Sequence, residues 1–410
     1  RAFSPSSCCN ISCLPQNLNK RNSMRFVFVV VFFFCTACSI PDEGPSIASE
    51  NVGIDTIIYY GNYLKSYNDV ALYGLIRKID AQNGLKIRIF GDSHIAEDSM
   101  ASEMRSLFFR DSVMPGFLYP LQPKYHHNAT VKYSAQYFRI FNSLRERDKN
   151  EDYPLGGVIA SANRTNATLR LVLQTQSNDA LKSTIVFRSP NKKAAFVLTD
   201  ARGKSYTLKA PVARKWSFFS RNLHYPITFR ALQKNAALGG YFISHASNDN
   251  IVDTLGINGA SSTLWQRWNP TLVRREMYEI IADLVILSYG TNDIIAQKTP
   301  EQIANDLRTL IAFVREISPQ TAILLLTPPT VTQKGSTRIV ENFAQMQEMF
   351  QSLAREEKLL LFNTHDFMEH NGGKEIWILK NLSQHDLHLT SLGYRFIARK
   401  IFQEMTMLTQ

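Results

Sequence analysis

The sequence has 410 residues, 44% of them hydrophobic and 20% charged, and a formal net charge of +11. That is enough chain for two domains with a sizeable core, and the absence of a low-complexity tract or a repeat excludes a disordered or fibrous protein. All five cysteines (Cys8, Cys9, Cys13, Cys35 and Cys38) fall in the first 38 residues, which excludes a disulfide framework or a cysteine metal site from the rest.

Residues 1–23 read as an upstream segment outside the native product. Met24-Arg25 followed by the apolar run Phe26–Ala37 reads as a signal peptide over 24–38, too short to span a bilayer as a helix. Small residues just before Cys38 resemble a bacterial lipoprotein cleavage site, so Cys38 is expected to carry lipid and to hold the protein on a membrane of the cell envelope, exported from the cytoplasm. Residues 39–54, rich in Pro, Ser, Glu and Gly, read as a linker. Removing residues 1–38 takes away four basic residues and no acid, leaving +7. That balance suits an anionic envelope polymer or a membrane surface, and no clustered Lys/Arg helix argues for nucleic acid.

From residue 55 to 116 the pattern is α/β. Leu72, Leu75, Ile76 and Ile79 predict a helix over 67–80. A β-prone run, Lys86-Ile-Arg-Ile-Phe90, ends in Gly91-Asp92-Ser93-His94, and a helical pattern follows to about Phe109. From 117 to 250 the character is all-β. Leu169, Leu171 and Leu173 alternate with polar residues, and Asp200-Ala-Arg-Gly203 marks a hairpin. From 251 to 410 strands and helices alternate again: a strand into the glycine turn at Gly259, a helix around Leu272–Ile281, the buried-type strand Leu284–Tyr289, a helix over 300–317, and the strand Ala322–Leu326. A helix over 342–357, the strand Leu359–Phe362 and a final helix after His388 complete the order. Alternation of this kind implies a parallel sheet with right-handed crossovers. The fold class is therefore α/β, a flavodoxin-like parallel sheet between helices, with an all-β sandwich inserted after its first strand and helix.

Four strand ends or loops then place polar groups at one sheet edge, where open α/β folds carry their chemistry. Ser93 follows the first strand, Gly259 the second and Asn292 the third; His388 precedes the last helix, with Asp386 close by. Taken alone, Ser93 could be no more than a helix N-cap. Together the set supplies what acyl transfer needs. Ser93 could serve as the nucleophile, His388 as the base and Asp386 as the acid that fixes the imidazole tautomer. The Ser93 and Gly259 backbone N–H groups and the Asn292 amide could supply the oxyanion donors. No metal or cofactor is called for. His126-His127 and His365 with His370 lack a convincing ligand set, Asp92 reads as a turn residue, and Trp265, Trp268 and Trp377 read as packing.

The blocks Gly91-Asp-Ser-His94, Gly259, Gly290-Thr-Asn-Asp293 and Asp386/His388 resemble, in order and context, the four blocks of the SGNH (GDSL-type) hydrolase superfamily. The resemblance implies Ser93 as nucleophile, Gly259 and Asn292 as oxyanion donors and His388 as base. The long insertion between Ser93 and Gly259 narrows it to the peptidoglycan O-acetylesterases, whose insert resembles a carbohydrate-binding module. It implies a serine esterase with an O-acetylated glycan, most simply peptidoglycan, as substrate. The sequence departs from the family in one place. The family usually has Asp three residues before the His; here His385 stands there and Asp386 lies two before. A shortened loop is expected to bring Asp386 to the imidazole, the alternatives being a Ser–His dyad or another acid. An O-acetyltransferase, an acetylesterase of another polysaccharide and a non-catalytic glycan-binding lipoprotein are the competing functional readings.

Overall fold

Residues 62–408 are described by a computed structural model, apart from residues 68, 110–112, 175–177, 247–248 and 334. The signal peptide, Cys38 and the linker lie outside the described residues.

A seven-stranded sheet organises the α/β part. Its order is Leu64–Ser66, Leu360–Phe362, Ala322–Leu326, Leu284–Ser288, Lys86–Gly91, Asn250–Gly256 and Val113–Met114. The first strand runs antiparallel to its neighbour and the others pair in parallel. The two strands written Leu-Val-Ile-Leu-Ser and Ala-Ile-Leu-Leu-Leu are buried along their whole length. Near-continuous apolar strands are what a parallel sheet covered on both faces requires. Setting aside its two short edge strands, the sheet has the flavodoxin-like order 2-1-3-4-5, with its switch point between Lys86–Gly91 and Leu284–Ser288.

The helices start where local chemistry directs. Pro300–Ile317 opens with a capping box, Thr299 accepting from the Gln302 N–H while the Gln302 side chain accepts from the Thr299 N–H, and has Pro at its first position. Asn269 caps Pro270–Met277, and Thr390 caps the final helix Ser391–Met407. The helix expected at 67–80 spans Asp69–Ala81. The pattern read as one helix after Ser93 is two. A short one, Ser93–Ala96, stops at Glu97, Asp98 takes a left-handed φ of 69°, and Ser99–Phe109 begins anew. The break has a use. Asp98 is buried, forms a bidentate pair with Arg105, and accepts the Ala129 N–H at 2.7 Å.

Between Gly116 and Ser244 lie two antiparallel sheets. One has the strands Val131–Gln136, Thr168–Leu173, Ile227–Ala231, Ala194–Thr199 and Ser205–Lys209. The other has Phe138–Asn142, Val158–Ala162, Ala237–Ser244, Leu181–Arg188 and Trp216–Leu223, with Gly116–Leu118 paired beside Ala237–Ser244. Their apolar faces enclose a separate core that includes Leu169, Phe196, Phe229 and Tyr241. The expected hairpin is Ala194–Thr199 with Ser205–Lys209. A charged pair joins this part to the parallel sheet. Arg88 and Asp253, opposite each other in register on adjacent central strands, are both buried; Asp253 also accepts the Phe117 N–H at 2.9 Å. Nearby, buried Glu276 accepts the Leu155 N–H at 2.7 Å.

Candidate active site

Ser93 emerges where Lys86–Gly91 ends. Asp92 caps the turn, its carboxylate accepting the His94 N–H at 2.9 Å. Gly256, at the end of the neighbouring strand, lets backbone meet backbone: a Cβ there would stand 2.5 Å from the Ala96 nitrogen. Asn292 lies in the short helix Thr291–Ile295 after the next strand, so the switch point lies between Ser93 and the Asn292 amide.

The structure brings the four blocks together. His388 Nε2 lies 3.0 Å from Ser93 Oγ, and His388 Nδ1 lies 3.0 Å from Asp386 Oδ2. The other carboxylate oxygen, Asp386 Oδ1, accepts the His388 backbone N–H at 2.8 Å. Two-residue spacing thus lets one carboxylate grip both the ring and the backbone of the same histidine. Burial raises the Asp386 pKa, but the hydrogen bonds from His388 and the nearby charges outweigh it and hold the group below its usual range. His385, at the position the family usually gives to the acid, makes no such contact and lines a neighbouring cavity instead.

Lys374 holds this loop from beneath. It is 5% exposed, and its ammonium donates to Ser383 Oγ at 2.8 Å and to the Asp386 backbone carbonyl at 2.5 Å. Ser383 Oγ in turn donates towards the His388 carbonyl at 3.3 Å. Burial pulls the Lys374 pKa below the usual lysine range, against the opposing pull of Asp386.

Gly259 has a φ of 84°, a left-handed conformation that glycine adopts freely. A Cβ there would meet only Leu144, at 3.3 Å, so backbone conformation is the visible reason for glycine. The Asn292 amide donates to the Ala260 carbonyl at 3.0 Å and to Asp92 Oδ2 at 3.2 Å. Both of its N–H groups are therefore engaged, and an oxyanion would share or displace the longer contact. Burial pushes the Asp92 pKa up to about 7. Asp293 is fully buried and accepts from the Ser262 N–H, the Ser262 hydroxyl and Lys298, which pins the loop after Gly259 to the Asn292 helix.

Ser93, Gly259, Asn292 and His388 line one cleft of about 540 Å³. Glu97, Tyr125, Asn258 and Gln384 share its walls. Tyr125 comes from a loop read as part of the β module. That loop is tied to the site by the His127 N–H on the Ala96 carbonyl and the Asn258 amide on the Tyr125 carbonyl. His94 is buried behind the cleft wall, its ring held between the Tyr394 hydroxyl at 2.8 Å and the Thr291 hydroxyl at 3.1 Å. Burial, then the neighbouring His388, pulls its pKa down to about 3, so it stays neutral. Trp265, Trp268 and Trp377 are buried and serve as packing.

Residues 229–396 match the GDSL-like lipase/acylhydrolase family, and residues 115–228 match the N-terminal domain of peptidoglycan O-acetylesterase. Ser93 lies before both stretches; the fold carries it into the site. No match is found among the curated proteins. Among solved structures, one of a peptidoglycan O-acetylesterase is 21% identical, with a TM-score of 0.72, covering 85% of this chain and 99% of that one. A protein from Bacillus subtilis is 13% identical with a TM-score of 0.36, covering 67% of this chain and 90% of that one. An acetyl xylan esterase is 18% identical with a TM-score of 0.29, covering 37% and 79%. The two family matches lie end to end over residues 115–396, so the chain combines a GDSL-like lipase/acylhydrolase domain, of SGNH type, with a peptidoglycan O-acetylesterase N-terminal domain.

Proposed function

We propose that this esterase removes O-acetyl groups from peptidoglycan, with Ser93, His388 and Asp386 as its triad. The observation that carries the reading is the unbroken chain of contacts Ser93 Oγ–His388 Nε2 and His388 Nδ1–Asp386 Oδ2, each 3.0 Å, in the cleft at the sheet's switch point. Ser93 Oγ attacks the acetyl carbonyl and passes its proton to His388 Nε2. The Ser93 and Gly259 N–H groups and the Asn292 amide stabilise the resulting oxyanion. Collapse breaks the ester bond, His388 returns the proton to the departing sugar hydroxyl, and an acetyl-enzyme remains. Water, deprotonated by His388, then attacks the acetyl carbonyl; acetate leaves and Ser93 recovers its proton. Asp386 orients the imidazole and stabilises its positive charge in both steps.

The same reading places the enzyme in the cell envelope, held by lipid on Cys38, which the signal-like run 24–38 supports. The test is acetate release from O-acetylated peptidoglycan, set beside an O-acetylated xylan, by the wild type and Ser93→Ala. Release from peptidoglycan that disappears in Ser93→Ala is expected. Preference for xylan would move the substrate and keep the mechanism. Full release by Ser93→Ala would overturn the mechanism.

A further inference from the structure

A second cavity, of about 770 Å³, opens on the far side of Asp386. It is one imidazole away from the reacting oxygen, because Asp386 lines it and holds the histidine that contacts Ser93. On its opposite side it is continuous with the oxyanion block: Ile294 and Ile295, in its wall, belong to the same short helix as Asn292. We propose that this cavity receives the peptide portion of a glycopeptide substrate, so that the enzyme recognises the peptide beside the sugar whose ester it opens. The proposal rests on the peptidoglycan reading above.

The lining chooses among occupants. Ile294, Ile295, Val331 and Val340 form an apolar surface for small side chains. Gln297, Gln333 and Asn342 bring carboxamides, which donate to and accept from peptide bonds. The carboxyl groups of Glu341 and Asp386 face the same space and suit a free amino group. A long alkyl chain would strand those acids and amides without partners, at a desolvation cost. No Trp, Tyr or Phe is among the described lining residues, so a second sugar would find only the small imidazole of His385 to stack on. The exposure of Asp386 fits too. Its side chain is 59% exposed, whereas the acid of a serine triad ordinarily works buried. A peptide seated against it would exclude water from the carboxylate at the moment it is needed.

The experiment compares three substrates: O-acetylated muropeptides, the same acetylated glycan stripped of peptide by an amidase, and p-nitrophenyl acetate. The variants Ile295→Trp and Val340→Trp fill the cavity; Ile295 is 49% exposed, so the first adds no bulk to the core. The wild type is expected to favour the peptide-bearing glycan by about tenfold in kcat/KM, equivalent to about 1.4 kcal/mol. Ile295→Trp should remove that preference and leave p-nitrophenyl acetate turnover unchanged. Equal rates on both glycans in the wild type, or a preference that survives both variants, would overturn the subsite. Calorimetry of the free stem peptide on Ser93→Ala, with and without Ile295→Trp, separates the two levels of the argument. Hydrolysis of p-nitrophenyl acetate with no release from either glycan sinks the substrate reading, and the subsite then stands or falls on whether the peptide binds and Ile295→Trp blocks it.

Discussion

Asp386→Asn measures how an exposed acid works in this site. The amide keeps the shape of the side chain and an oxygen to accept the His388 N–H, now 2.8 Å from Asp386 Oδ1. It loses the negative charge that faces His388 Nδ1 at 3.0 Å. In a serine protease whose triad acid is buried, the same change lowers kcat by about 10⁴. Here the Asp386 side chain is 59% exposed and that of His388 38%, so water screens the pair. Two unit charges about 4 Å apart attract by about 1 kcal/mol in water and about 4 kcal/mol at the effective dielectric of a protein surface. Those limits convert to about fivefold and about a thousandfold in rate. With p-nitrophenyl acetate, too small to cover Asp386, kcat should fall within that range and KM should stay level. Asp386→Ala should fall further, because the backbone contact goes as well. Steady-state rates with a burst titration of active sites measure both. A fall under about twofold would take Asp386 out of the triad, and a fall of 10⁴ would refute the screening argument.

Two other expectations follow from the same contacts. Asn292→Ala should lower turnover by about two to three orders of magnitude if the amide donates to the oxyanion; unchanged kcat with the same substrates would remove it from the mechanism. Glu276→Gln should change the pH dependence of stability. Burial pushes Glu276 up to about 8 against the hydrogen bond from Leu155 and the nearby Arg88 charge. An acid whose folded pKa is raised stabilises fully below its unfolded pKa of 4.5, and that contribution is lost as pH rises through 8. The variant should therefore gain on the wild type between about pH 4.5 and 8, by up to about 1.4 kcal/mol per pH unit. Parallel urea-denaturation curves across that window would refute the assignment.

The parts of the site most legible in the sequence are those where chemistry and backbone signal coincide. Ser93, Gly259 and Asn292 each follow a β-prone run that ends at a glycine, and His388 precedes a helix capped by Thr390, so all four were placed by local pattern. Asp386 was named on the strength of its proximity to His388, but its geometry depends on Lys374, twelve residues earlier, and no periodicity connects the two. The break at Asp98 was invisible because a left-handed residue leaves no mark on a helical pattern. Arg88 and Asp253 read as polar interruptions of two strands, and only the register shows that they pair with each other. Tyr125 was missed for a similar reason. Its loop has neither period nor motif, and long-range hydrogen bonds alone bring it to the cleft.

The central strand Lys86–Gly91 has an awkward history as the chain emerges. Both of its sheet neighbours, Asn250–Gly256 and Leu284–Ser288, come from beyond the sandwich. Until those segments have been synthesised, the strand that leads into Ser93 has neither of these partners. Closing so long a loop costs entropy before any pairing repays it. The sandwich shortens the journey, since its first strand Gly116–Leu118 lies beside its last, Ala237–Ser244, and so brings the two ends of the insertion together. On this account the β module is an assembly jig: its closure eases formation of the hydrolase sheet, and lesions in its core should appear more as enzyme that fails to mature than as enzyme that turns over slowly.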